Sequence, residues 1–176
     1  MSFYVRSSVI FKAVKYSVIF FVIMLLETVT LPLALKGAVL PDLVLSAVIA
    51  CAFGEDERVA GVCGLAAGFA LDALGTFGVS LSPLFYGLAG YLAGVMIRFF
   101  MRRNLPSFMI YMLSAAAARS VLTVMLAFFN LYTVDISILF TKTVIPEFFL
   151  TVLFSPLLYL IIALPMARKN KQSLKN

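Results

Sequence analysis

The chain contains no histidine, and that absence removes more chemistry than any motif supplies. Without imidazole there is no histidine general base, no imidazole metal ligand and no serine–histidine pair for nucleophilic catalysis. Tryptophan is missing too, so an interfacial aromatic belt must come from tyrosine and phenylalanine. Charge is scarce, at 12% of residues against about 25% in soluble globular chains. The only cysteines, Cys51 and Cys63, match neither a C-x-x-C nor a metal-ligand spacing and read as small buried apolar residues. The glycine-bearing stretch GLAAGFALDALG, 64–75, lacks the lysine and serine or threonine of a phosphate-cradling loop.

What is present is apolar: 63% of the 176 residues are hydrophobic, and the mean hydropathy is +1.08. A soluble domain of this length has no interior large enough for that surface. Outer-membrane strands would alternate apolar and polar residues, and these runs do not. The reading is an all-α, polytopic membrane helical bundle forming a single integral domain, 1–176. Six apolar segments are predicted as spans: about 16–35, 41–53, 59–74, 83–101, 108–131 and 138–165. A span needs about 20 residues, so the second and third fall short and are expected to form a thin or tilted hairpin around GEDER, 54–58. The N-terminal run is basic and then apolar, as in signal peptides. It is too long, however, and no A-x-A-like site follows, so it is expected to be a retained span.

Basic residues test that count. With six crossings and an inside N-terminus, eleven fall on the cytoplasmic side: Arg6, Lys12, Lys15, Arg58, Arg98, Arg102, Arg103, Arg168, Lys169, Lys171 and Lys175. Only two, Lys36 and Lys142, fall outside. That bias favours six spans with both termini cytoplasmic. The net charge of +6 therefore marks orientation and not a nucleic-acid site. The basic tail, 168–176, is a candidate contact for anionic lipid.

Four ionisable residues lie inside the spans: Glu27, Asp72, Arg119 and Glu147. An intramembrane charge costs at least ~2.5–3.5 kcal/mol and normally faces the bundle interior and a partner. Glu27 and Arg119 lie about 16 Å beyond their helix starts and Asp72 about 20 Å, at 1.5 Å per residue. All three belong to spans running outward, so they share a level, and Glu147 lies nearer the outer surface. Arg119 is therefore expected to be neutralised by Glu27, Asp72 or both. A proton or substrate relay is the rival role for this intramembrane charge network. Pro41-Asp42 reads as a helix start, proline in the first turn and an acid at the positive end of the dipole. Glycines mark the third span (Gly61, Gly64, Gly68) and the fourth (Gly87, Gly90, Gly94). Such small-x-x-x-small pairs let helix backbones approach closely, either inside the bundle or against a partner.

The segment 41–94 resembles the MreD family, small rod-shape-determining membrane proteins of bacteria. The shared elements are a Pro41-Asp42 start to the second span and a glycine-spaced third span carrying Gly64, Gly68 and Asp72. A loop with Gly78 then leads to a fourth span bearing Tyr86, Gly87, Tyr91 and Gly94. The last two spans agree in hydropathy alone. The resemblance implies a non-enzymatic adaptor in the bacterial cytoplasmic membrane, within the elongation machinery that builds side-wall peptidoglycan. Its expected partners are MreC and, through it, MreB, RodA and a penicillin-binding transpeptidase, with Gly90 and Gly94 on candidate contact faces. The family fold is similar to the substrate-binding subunits of energy-coupling-factor transporters, so a vitamin-type transport subunit is the alternative function. An intramembrane enzyme is the weakest reading, because Glu27, Asp72 and Glu147 come with no partner motif. No cofactor or metal is expected.

Overall fold

Residues 43–54, LVLSAVIACAFG, carry no charged side chain on any face. A helix that is apolar all round belongs at the centre of a bundle. The computed structural model, which describes residues 15–35, 39–74, 81–100, 102–130 and 140–163, places it there. This helix, α2 (Leu43–Gly54), is buried at every position from Val44 to Gly54. The short second segment is thus the axis of the bundle, and it turns into the third at Glu55–Asp56, within the GEDER bend.

Around it stand five longer helical stretches. Helix α1 covers 15–35, with a π-helical turn at Leu26–Thr30 and a last α-turn at Leu31–Leu35. Helix α3 is Glu57–Ala73, and α4 is Ser82–Phe99, with proline in its first turn. Helix α5 is Leu105–Asn130. Helix α6 joins a π-turn at Phe140–Val144, an α-segment at Ile145–Leu158 and a second π-turn at Tyr159–Ala163. Pro156, inside that α-segment, donates no backbone hydrogen bond, and the ladder re-registers just beyond it. No strand occurs among the described residues.

Among the described residues three helices are long and apolar enough to cross a membrane: Lys15–Leu33, Leu105–Met125 and Phe140–Ile162. Their outward faces present Phe21, Leu33, Ile110, Val121, Phe149 and Leu153 to the surroundings, a contiguous apolar exterior that suits lipid. Helix α2 is apolar but shorter. Gly78 of the family pattern and the basic tail 168–176 lie outside the described residues.

The lower end of α2 is closed by aromatic rings. Phe53 meets Phe108 edge-on at 5.4 Å and Tyr159 edge-on at 6.0 Å, and the latter two lie 4.8 Å apart. Phe53→Leu keeps an apolar side chain but loses both ring contacts, so thermal unfolding in detergent should report about 1–1.5 kcal/mol of destabilisation.

Helices α3 and α4 form the most extensive pairing in the bundle. A methyl group added at Gly64 would collide with the Tyr86 carbonyl, at Gly68 with the backbone of Pro83, and at Gly94 with the backbone of Glu57. At Gly90 it would lie 2.6 Å from the Ala60 carbonyl oxygen, and at Gly87 2.6 Å from Leu65 Cγ. These five glycines face each other across one internal seam. Of the two readings of these glycines, packing inside the bundle and a face for a partner, Gly90 and Gly94 follow the first: a Cβ there would meet α3 itself.

Candidate functional site

Twelve residues of helix span about 18 Å, well short of the ~30 Å hydrocarbon core. A central helix that short must begin inside the bundle, and its first turn has unpaired N–H groups that need acceptors there. Asp42 supplies the first. It is 4% exposed, and its Oδ1 accepts the Leu45 N–H at 2.8 Å, a side-chain N-cap. Glu27, carried by the π-turn of α1, supplies the next: its Oε2 accepts the Val44 N–H at 2.9 Å.

Asp42 also binds the other helices. The Tyr86 hydroxyl of α4 donates to its Oδ2 at 2.8 Å, and Arg119 Nε of α5 lies 3.5 Å from the same oxygen. The Asp42 N–H donates to Thr151 Oγ1 of α6 at 2.8 Å, and the Ser46 hydroxyl donates to the Asp42 carbonyl at 3.2 Å. The Arg119 guanidinium sits over the Tyr86 ring at 5.4 Å and the Phe85 ring at 5.7 Å, so its charge meets π-electron density as well as carboxylate. Asp42, Glu147 and Glu27 are the acids whose fields act on Arg119. Four helices therefore converge on one turn of α2.

Glu27 and Arg119 meet at the common level expected of them, but the residue between them is Asp42. Asp72 is elsewhere, and the expected Asp72–Arg119 pairing is replaced by the Asp42–Arg119 ion pair. The reason is azimuth. Asp72 follows Gly68 by one turn, on the side of α3 that packs against Pro83 of α4. Both its carboxylate oxygens are buried with no hydrogen-bond partner among the described residues. Glu147 reaches the cluster electrostatically, through Asp42 and Arg119.

Asp42 thus does more than start a helix, and Tyr86, fully buried, and Thr151 join it without having been singled out for that role. The legible signal was the uniform apolarity of 43–54, which makes any acid at its start a buried one. Removing the hydroxyl in Tyr86→Phe leaves Arg119 as the only cross-helix charge on Oδ2. Melting of the purified variant should show a loss of about 1.5–3 kcal/mol, the range for a hydrogen bond to a charged group.

The site offers little to a solute. Two cavities of about 710 and 570 Å³ open at the 54–58 end; the larger runs on to Met24, Ala70 and Val44, and neither is lined by Asp42, Tyr86, Arg119 or Glu147. Among the described residues no group of three or more histidine, cysteine or acidic side chains is arranged to hold a metal. Comparison of the chain with protein-family models, with curated proteins and with solved structures returns no match.

Proposed function

We propose that this chain is a non-enzymatic membrane adaptor of the MreD type, crossing the bacterial cytoplasmic membrane six times with both ends inside. In this reading it docks MreC and helps organise MreB, RodA and the penicillin-binding transpeptidase around side-wall synthesis. One observation carries the reading: Pro41-Asp42 and Tyr86, two elements of the resemblance, meet in a clasp that ties four helices to the start of α2. Polar groups that a transporter would turn toward a substrate are spent here on each other. A body so fastened suits holding its outer surfaces in fixed relation for partners.

The test is a native pull-down. The C-terminal tail is tagged, membranes are solubilised in mild detergent, and co-purifying chains are identified by mass spectrometry. Recovery of MreC with the synthase pair is the expected result. Recovery of an ATPase pair with a coupling subunit would replace the adaptor with the vitamin-type transporter. Topology is tested separately: with six crossings, a cysteine at Lys36 should label with impermeant maleimide in intact cells, and one at Asp56 should not.

A further inference from the structure

The larger cavity, about 710 Å³, is a groove between α1 and α3. Its walls are apolar, with Phe20, Phe21 and Met24 on α1 facing Val62, Ala66 and Ala70 on α3. Alanine at 66 and 70 keeps the α3 side low, so a trough runs along the helix. Helix α1 is fastened to α2 beside this trough at two points. The Tyr16 hydroxyl donates to Glu55 Oε1 at 2.7 Å, and Glu27 accepts the Val44 N–H at 2.9 Å.

The trough ends in charge of both signs. Asp56 and Arg58 line its mouth and also the adjoining cavity of about 570 Å³, which Arg98 and Arg103 line as well. Asp56 holds the N-cap position of α3, yet its carboxylate makes no capping hydrogen bond. Arg58 is exposed and stands outside the Arg98–Glu57 ion pair. Asp56 and Arg58, two residues apart, therefore flank the same opening, and Glu55, which lines both cavities beside them, accepts the Tyr16 hydroxyl.

An apolar trough ending in a carboxylate beside a guanidinium matches an amphiphile with a long acyl chain and a headgroup carrying phosphate and amine. A transmembrane helix of a partner is about 10–12 Å across and brings no headgroup to match the charges at the mouth. We infer that the α1–α3 groove binds one zwitterionic aminophospholipid, with an acyl chain in the trough, the phosphate at Arg58 and the ammonium at Asp56. The assignment needs a membrane-embedded chain but not the adaptor role.

The full chain is reconstituted into phosphatidylglycerol vesicles containing a trace of phosphatidylethanolamine or phosphatidylglycerol spin-labelled on the acyl chain. Electron paramagnetic resonance then measures the motionally restricted fraction of each. The expected result is a preference for phosphatidylethanolamine of about threefold, the scale of one exposed ion pair. Asp56→Asn, an exposed change at a side chain that makes no capping hydrogen bond, should abolish that preference, because only the ammonium distinguishes the two headgroups, whereas Arg58→Ser should weaken the restricted fraction of both lipids. Ala66→Phe should fill the trough and remove the restricted fraction that distinguishes the two lipids. A parent protein with no preference, or a preference unchanged in Asp56→Asn, overturns the assignment. So does a restricted fraction that appears only after a co-purifying partner helix is stripped away, because the groove would then belong to that helix.

Discussion

Asp42→Ala is expected to be the most damaging single substitution in the chain, lowering stability by about 3–5 kcal/mol. Three losses coincide. The first turn of α2 loses its side-chain cap at Leu45 N–H, worth about 1 kcal/mol alone. The Tyr86 hydroxyl loses its acceptor in a fully buried position, and Arg119 loses the carboxylate 3.5 Å from its Nε. The last loss dominates, because a buried guanidinium gives up a carboxylate at ion-pair distance and keeps the fields of Glu27 and Glu147. The check is a double-mutant cycle read by thermal unfolding in detergent, with the amount of membrane-inserted protein as second readout. Arg119→Met alone leaves Asp42 with two hydrogen bonds and should cost less than Asp42→Ala. Adding Arg119→Met to Asp42→Ala should recover part of the loss, giving a coupling of at least about 1 kcal/mol. Independent, additive effects of the two substitutions would show that the ion pair does not hold the helices.

The second large effect is expected at the α3–α4 seam, where the size of the loss should follow what each added methyl meets. Gly64→Ala and Gly68→Ala drive a Cβ into the backbone of Tyr86 and of Pro83. Backbone cannot step aside without parting the helices, so each should cost about 3 kcal/mol, the upper end for overpacking. Gly64→Ala also displaces Tyr86, which carries the hydroxyl bound to Asp42, so its cost should be partly non-additive with Tyr86→Phe. Gly87→Ala meets the Leu65 side chain, Cγ at 2.6 Å and Cδ2 at 2.7 Å, which can turn aside where backbone cannot, and should cost about 1 kcal/mol. Gly61→Ala meets Tyr91 Cβ at 3.3 Å and should be close to neutral. Melting temperatures for the four variants should fall in that order. A flat series, or one in which Gly61→Ala is the worst, would show that the seam is not set by backbone approach.

Helix positions could be read from hydropathy because lipid-facing and core-facing residues are both apolar, and long runs of them stand out from short polar connections. The six helical stretches lie on the six apolar segments, and their ends shift by a few residues. Depth was legible as well: counting residues along α1 and α5 brought Glu27 and Arg119 to one level. Azimuth was not. Nothing in the spacing of 59–74 says which neighbour the side of α3 bearing Asp72 will meet, and that side turns toward α4. The role of Asp42 was hidden for a related reason. Its cap geometry explains the residue fully when the helix start is imagined at the surface. Only the central position of α2, inferable from its lack of any polar face, takes that start inside, where a lone carboxylate needs a counter-ion.

The separation of Asp42 and Arg119 along the chain has a consequence for biogenesis. The acid is synthesised 77 residues before the base that pairs with it. A nascent chain ending anywhere before α5 carries into the bilayer a carboxylate whose partner, Arg119, has not yet been made. Its first helices are held in waiting, and they lock around α2 only when the later ones arrive. The same clasp that ties the finished protein together therefore acts during synthesis as a completeness check, leaving truncated products loosely assembled and open to membrane proteases.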